Sequence, residues 1–330
     1  MDKARRRIST GLAAAVFAPA LTSVVAQGQM RLTLAHNLTP SNPKGIGADT
    51  FAEFLSQKSG GRMTVHVAHS SQLGNENTNM SALRTGTLDF GALGLGALLS
   101  VAPECAAVGL PFLYPNLKAA WGSLDGPIGQ ELAKRIEAKN IVFLGWWCNG
   151  LRQTTNAKRQ ILTPGDLKGL RIRTPLDPST VDMFAAMGAI PQQIAWGEVY
   201  LALQTGVVDG QENPLVNIDS AKLYEVQSNL SFTNHKYEPT ALLMSAAAWG
   251  KLSEADRKIV LEAAKQTQPI QRKAMADSDE TFRLKFEKLP NFKMSTVDTA
   301  PFKQATEVVW DEWEKKPFGD FVKKLRATRS

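Results

Sequence analysis

Apolar residues recur along this chain with two periods, and the periods take turns. Positions 31–35 alternate like a strand. Positions 43–58 carry helical spacing, with Ser41 or Asn42 to cap the helix and Pro43 at its first position. A strand over 62–68, a helix over 75–84 ending at Gly86, and a strand over 88–93 follow. Then 127–138 reads as a helix and 141–147 as a strand. Strand followed by helix, repeated, argues for an α/β fold around a mainly parallel sheet. The pattern restarts beyond Gly150, with a short strand at 170–173 and helices at 178–187 and 198–204, the second stopped by Gly206. Two such units predict two lobes. Positions 254–289 hold no glycine and would form a helix of about 50 Å, long enough to cross both lobes. Pro269 is expected to kink it. A last helix is expected over 302–315.

Length and composition agree with this picture. A chain of 330 residues, 43% hydrophobic and 21% charged, fits two ordinary domains with sizeable cores. The first 26 residues stand apart. Lys3, Arg5, Arg6 and Arg7 precede a mostly apolar, small-residue run over 11–25, and Ala26 offers a cleavage point with Val24 at the −3 position. This reads as a secretory signal, too short to span a membrane. Arg5-Arg6 fits a twin-arginine signal or an ordinary Sec n-region equally well. No cysteine follows the cleavage point, so no lipid anchor is expected there, and the mature chain is expected to be exported. The signal carries four basic residues and Asp2, so the mature charge is +7 − 3 = +4. That is mildly basic, without the lysine and arginine clusters of a nucleic-acid binder. Cys105 and Cys148 are the only cysteines. Export permits a bridge between them, but two buried free thiols are the expected state.

The stretch "LQTGVVDGQENP" (203–214) concentrates polar chemistry. Asp209 and Glu212 lie three apart across an expected turn, with no nucleophile motif nearby, so they do not read as a catalytic acid pair. A metal loop needs more oxygen ligands at closer spacing. The better reading is a short strand over 207–209, a turn at Gly210, and a side-chain amide presented to a ligand, since open α/β sheets bind ligands beyond their strands' carboxyl ends. His66 and His69 could form half a zinc site, but no third ligand is apparent, so no metal and no cofactor are expected.

The run from Glu198 to Pro214, together with Lys222-Leu-Tyr-Glu-Val226 and Thr233-Asn-His235, closely resembles the DctP-type substrate-binding proteins of TRAP transporters. So do "GGRMTVHVAHSSQLG" (60–74), "GLPFLY" (109–114), "NGLRQTTN" (149–156) and "DLKGLRIRTP" (166–175). The resemblance covers nearly all of the mature chain. It implies a two-lobed, periplasmic-binding-protein-like α/β fold with crossing segments and a long helix spanning both lobes. Lobe I would comprise 27–150 plus about 239–278, and lobe II 151–238 plus about 279–330. It implies a periplasmic, monomeric, non-enzymatic receptor. Such a receptor would capture a small carboxylate between its lobes and pass it to the small and large membrane subunits of a TRAP transporter.

The resemblance also assigns residues. Arg173, in the strand after "DLKGL", matches the arginine that clamps the ligand carboxylate, and a planar guanidinium suits that task because it pairs both oxygens at once. Arg171 shares its strand face and is the local rival. Arg152 matches a second arginine near the ligand, and Asn213 a ligand-facing amide. Trp196 stands where an aromatic plate is expected, and Asn37 at a position that can touch ligand. Tyr237 and one of Trp146 and Trp147 are further candidates, with core packing the default for the tryptophans. His235 belongs to a family motif and is expected near a lobe crossing. Two departures bear on the ligand. His69 replaces a usual proline. "FGALGLGAL" (90–98) carries small residues where some sialic-acid-type members have a carboxylate. That loss, with three tryptophans expected near the cleft, favours an aromatic or hydroxy acid over a sugar acid. A sensory receptor or a receptor for another importer type would present a similar pocket. An exported enzyme would need a general base or nucleophile beside Arg173, and none is apparent.

Overall fold

The computed structural model describes residues 29–329. The expected signal segment, 1–26, lies outside them. Nine strands form one continuous sheet: β1 (Met30–Ala35), β2 (Met63–Ala68), β3 (Phe90–Gly94), β4 (Ile141–Asn156), β5 (Arg171–Thr174), β6 (Ile190–Gln193), β7 (Gly210–Asn213), β8 (Asn229–Ser245) and β9 (Lys293–Thr296). Their order is β2-β1-β3-β8-β4-β7-β5-β6, with β9 beside β8. β1 pairs in parallel with β2 and β3 at one end, and β5 with β6 and β7 at the other. Between them run β4 and β8, antiparallel to each other from Ile141↔Ser245 to Asn156↔Asn229. β3 lies along residues 240–244 of β8, whereas β7 lies along 153–156 of β4. Each long strand therefore begins in one lobe and ends in the other, which makes the fold two-lobed with crossing segments.

The local signals act where the chemistry says they should. Asn42, not Ser41, caps helix Pro43–Lys58, its side chain accepting from Lys44 N at 2.9 Å. Asn75 caps helix Glu76–Thr85, and Gly86 ends it in the left-handed region at φ 79°. Helix Glu254–Phe286 runs unbroken through Pro269 for 33 residues. Its first half packs Val260, Ala263 and Ala264 into the core that holds Phe51, Leu55 and Trp147, and its end puts Phe286 into the core of Leu203, Ile218 and Leu230. It therefore spans both lobes.

Three expectations need correction. The strand placed over 207–209 is a turn, with Val207 55% exposed. The strand is β7, whose four residues are all buried. The strand expected over 141–147 continues to Asn156. The helix expected over 302–315 is two short ones, Ala300–Ala305 and Glu307–Trp313, divided at Thr306, whose hydroxyl bonds back to Phe302 O at 2.9 Å.

β4 and β8 slip register between Phe143 and Gly145, Cys148 and Gly150, and Arg152 and Thr154. Gly150 sits in the middle slip at φ 108°, a backbone conformation that favours glycine, and its Cα faces the tip of Met275 of the long helix. Gln271 of that helix holds the same slip. Its Oε1 accepts from Cys148 N at 2.8 Å, and its Nε2 donates to Cys148 O at 2.7 Å. Cys105 and Cys148 are buried free thiols, and burial pushes the Cys148 thiol up to about 11. No described helix is long and apolar enough to cross a membrane.

Candidate functional site

A cleft of about 690 Å³, counting its solvent-filled mouth, opens where the lobes meet. Arg152 of β4 and Glu212 of β7 build its floor. The register sets Thr154 against Glu212 and Gln153 against Asn213, so Arg152 lies beside the end of β7. Arg152 is 2% exposed and fully engaged. Its Nε pairs with Glu212 Oε2. Its Nη2 donates to Glu212 Oε1 at 2.8 Å, Glu212 O at 2.7 Å and Asn213 Oδ1 at 3.0 Å, and its Nη1 lies 3.0 Å from Glu238 Oε2. Burial alone would raise the Glu212 carboxyl, but the Arg152 charge, with hydrogen bonds from His235 and Arg152, outweighs it and holds the group at about 2. Behind this pair, His235 sits 3.2 Å from Glu212 Oε2, and Lys236 pairs with Asp177.

Arg173 differs. It is 3% exposed, and its Nε and Nη2 donate to a single neutral acceptor, Ile194 O, at 2.9 and 2.7 Å. Among the described residues no carboxylate stands within ion-pair distance of it. Its guanidinium carbon lies 5.8 Å from the Trp196 ring centroid, a cation–π contact. Burial drives its pKa down to about 10, with Glu212 opposing and Arg152 reinforcing that fall. Arg171, the rival, is committed elsewhere: it makes a two-point pair with Asp209 at 3.1 and 2.9 Å on the surface. Asp209 is thus a structural partner.

Asn213 lines the cleft from within an amide chain. Its Nδ2 donates to Gln211 Oε1 at 2.6 Å, and its Oδ1 accepts from Asn217 Nδ2 at 3.1 Å. Asn217 Oδ1 in turn accepts from Asn42 Nδ2 at 2.9 Å. The helix cap of one lobe is thereby tied to the helix following β7 in the other. Asn37 lines the opposite wall and accepts from Lys44 Nζ at 3.0 Å, and Trp196 closes the second lobe's rim. The structure thus brings Arg152, Arg173, Asn213, Trp196 and Asn37 to one cleft.

It does not bring Tyr237 or Trp146 there. Along β8, Lys236 and Glu238 point to the Arg152 side, so Tyr237 between them points away. It stacks edge-on against Tyr114 at 5.7 Å, 2% exposed, in the largest core. Trp146 packs 4.8 Å from Phe143 in that same core, and Trp147 packs in the core on the other face of the sheet. Helices cover both faces there, so neither tryptophan reaches the cleft. His66 is exposed. His69 bonds His36 at 2.9 Å and Asp49 at 3.2 Å, and no group of three metal-ligating side chains exists among the described residues.

Residues 34–316 match the model of the DctP family, bacterial extracellular solute-binding proteins of family 7. The chain belongs to this family. A protein of Sinorhizobium fredii (strain NGR234), y4mM, is 46% identical over 92% of the chain, which spans 57% of that longer protein. A TRAP periplasmic solute binding protein from Bordetella bronchispeptica, with density assigned to pantoate, is 36% identical. It superposes with a TM-score of 0.87 over 92% of this chain and 100% of its own. Another, from Polaromonas sp JS666 and bound to D-erythronate, is 33% identical with a TM-score of 0.88 over the same shares. Pantoate and erythronate are hydroxylated acids without an aromatic ring, so the preference for an aromatic acid over a sugar acid finds no support among these relatives.

The DctP-family cleft also holds residues that the sequence reading passed over: Lys44, Glu76, Glu238, Asn149 and Asn217. One of them left a signal. Lys44 sits in the first turn of a helix, where the positive end of the dipole disfavours a cation. It is 3% exposed, bonded to Asn37 and 3.4 Å from Glu76 Oε1. A lysine kept in so unfavourable a place marks chemistry on its far side. Glu238, in the middle of a strand beside Pro239, has no such signature.

Proposed function

We propose that this DctP-family protein is the periplasmic receptor of a TRAP transporter. It captures a small hydroxylated carboxylate in the inter-lobe cleft and delivers it to the small and large membrane subunits. The observation that carries the reading is Arg173: a buried guanidinium with no counter-ion, facing a polar cleft. A ligand carboxylate supplies the missing charge and takes the guanidinium edge that Ile194 O leaves free. Arg152 is already balanced by Glu212 and Glu238, so it contributes a shaped floor and a hydrogen-bond edge. Asn213 and Asn37 orient the ligand from opposite walls, and Trp196 covers Arg173. The remaining wall is amide- and carboxylate-rich, which suits hydroxyl groups and offers an aromatic ring little to stack on. The cleft places no nucleophile beside Arg173, so the reading is capture and release by lobe closure, without catalysis.

The proposed moving units are 27–150 with about 239–278, and 151–238 with about 279–330. The C-terminal segment also touches the first lobe, where Arg135 stacks 5.6 Å from Phe321 and Lys324 bonds Glu131 at 2.7 Å. Export by the 1–26 signal and a monomeric state complete the proposal. The test is a thermal-shift screen of the purified mature chain against D-erythronate, pantoate, galactonate, glucuronate, succinate and benzoate. A ligand specific to the folded state raises the melting temperature by mass action. Stabilisation by one or more hydroxylated acids, and none by benzoate, is expected. Stabilisation by benzoate alone, or by no acid, overturns the reading.

A further inference from the structure

Position 69, where the resemblance expects proline, carries a histidine with a hydrogen-bonding task. His36, 0% exposed at the end of β1, sets its Nε2 2.9 Å from Nδ1 of His69, the rings edge to face. Its Nδ1 lies 3.2 Å from Leu38 N. A backbone N–H only donates, so His36 Nδ1 accepts and the His36 proton sits on Nε2. His69 Nδ1 must then accept, and the His69 proton sits on Nε2, aimed at Asp49 Oδ1, 3.2 Å away. One backbone amide thus fixes both tautomers, and the order runs Leu38, His36, His69, Asp49. Backbone bonds strap the same stretch. Ser70 N donates to Leu38 O at 2.9 Å and Ser71 N to His36 O at 3.1 Å. Ser70 and Ser71 hold φ of 52° and 60°, left-handed at two successive residues that are not glycine, a strained conformation that needs such bonds to hold it. Asn37, Leu38 and Ser71 line the cleft, so the strap is part of the first lobe's rim.

We propose that His69 is the positioning residue of this rim, and that a second proton on its ring unlatches it. With that proton, His69 Nδ1 becomes a donor facing the His36 Nε2–H. His36 can accept there only by moving its own proton to Nδ1, where the Leu38 N–H already points. One bond must break, His36 to His69 or Leu38 to His36, and His36 is shut off from the bulk water that could replace it. His36 does not take the proton instead: burial, then the charge of Lys44, then His69 hold its pKa at about 3. Asp49, half exposed, gives the charged His69 ring a counter-ion. Lys44 and Asp49, both of helix Pro43–Lys58, are the charged groups set against the pair. The rim that carries Asn37 therefore keeps its place while both rings are neutral and loosens in acid. The latch stands on hydrogen bonds alone; only its effect on a ligand rests on the carboxylate-receptor reading above.

Nitrogen-15 NMR of the unliganded mature protein tests the latch. At about pH 8 both His36 and His69 are expected to carry their proton on Nε2. Lowering to about pH 5, across the range where histidine ordinarily changes charge, should move the Leu38 and Ser71 amide signals in step with His69. Asp49→Asn removes the counter-ion and should lower the midpoint of that movement by about half a pH unit. His69→Asn offers an acceptor oxygen that takes no proton, and should abolish the movement with little change in melting temperature. A His36 proton on Nδ1, or Leu38 and Ser71 amides that ignore the titration of His69, overturns the latch. Calorimetric titration with D-erythronate then reads its reach. Wild-type affinity should fall about fivefold or more between the same two pH values, and less than about twofold in His69→Asn. A fall of equal size in both would overturn the positioning role while leaving the receptor reading intact. Binding at neither pH would count against the receptor reading, and the NMR result would still decide the latch.

Discussion

Removing Arg173 tests whether its charge serves the ligand, as proposed, or the fold. In the unliganded protein the guanidinium donates only to Ile194 O and has no counter-ion. Its fall from 12.5 to about 10 corresponds to a burial cost on the order of 3 kcal/mol. Sign and window follow from that fall. The unfolded arginine holds its proton up to 12.5 and the folded one only to about 10, so the cost is full below pH 10 and fades above it. Arg173→Ala therefore relieves this cost and forfeits the bonds to the Ile194 carbonyl, worth ~1–3 kcal/mol. The two nearly cancel, and unliganded stability should change by no more than about 1–2 kcal/mol. Ligand binding has no such compensation. Two charge-assisted hydrogen bonds at ~1.5–3 kcal/mol each, less the share kept by water, leave ~3–5 kcal/mol. That is a loss of about two to four orders of magnitude in affinity. Arg173→Lys keeps the charge without the fork and should lose roughly one to two orders. Calorimetric titration with D-erythronate, paired with urea unfolding of the unliganded variants, reads both quantities. An Arg173→Ala dissociation constant within threefold of wild type would refute the reasoning. So would a drop in unliganded stability above about 3 kcal/mol, which would mean Arg173 is a structural keystone.

Arg152→Ala, in contrast, strips both Glu212 and Glu238 of their partner and should cost ~3–5 kcal/mol in urea unfolding, whatever the ligand. Glu212 titrates far lower folded than unfolded, so its stabilisation is complete above pH 4.5 and lost as pH falls toward 2. The acid side of the stability profile should flatten in that window in Glu212→Gln, as followed by circular dichroism. Gln271→Ala leaves the buried N–H and C=O of Cys148 unpaired and should cost ~1–3 kcal/mol, with equal protection lost at that amide in hydrogen exchange. Trp196→Ala removes the cover from Arg173 and should weaken D-erythronate by ~0.5–2 kcal/mol, and calorimetric titration checks this beside the stability lost from its packing.

The legible parts of this fold were local. Helix Pro43–Lys58 announces itself by its cap, its proline and its spacing, and the 254–286 helix by its length without glycine. Arg173 was legible because a motif fixed its strand. What escaped was everything set by strands buried on both faces. β8 reads "NLSFTNHKYEPTALLMS". Its polar residues Asn229, Ser231, Thr233, His235, Lys236 and Glu238 are buried, each held by a hydrogen bond or an ion pair, so hydrophobic alternation, the usual sign of a strand, is absent. β7, "GQEN", has no apolar residue at all and is buried nonetheless because Arg152, Thr155 and Asn217 answer its side chains. Nor could alternation say which face of β4 or β8 meets the cleft, and this misplaced Trp146 and Tyr237.

The long helix has a mechanical consequence. Each end is embedded in a different core, and Gln271 pins its middle to the register slip where β4 crosses between lobes. Two residues before that pin, Pro269 lacks the N–H that would tie it to Lys265, so the rod is softest beside its fulcrum. Closure of the lobes as proposed is therefore expected to bend the helix beside Pro269, which would carry the change to the outer surface as an altered angle between the helix's two halves.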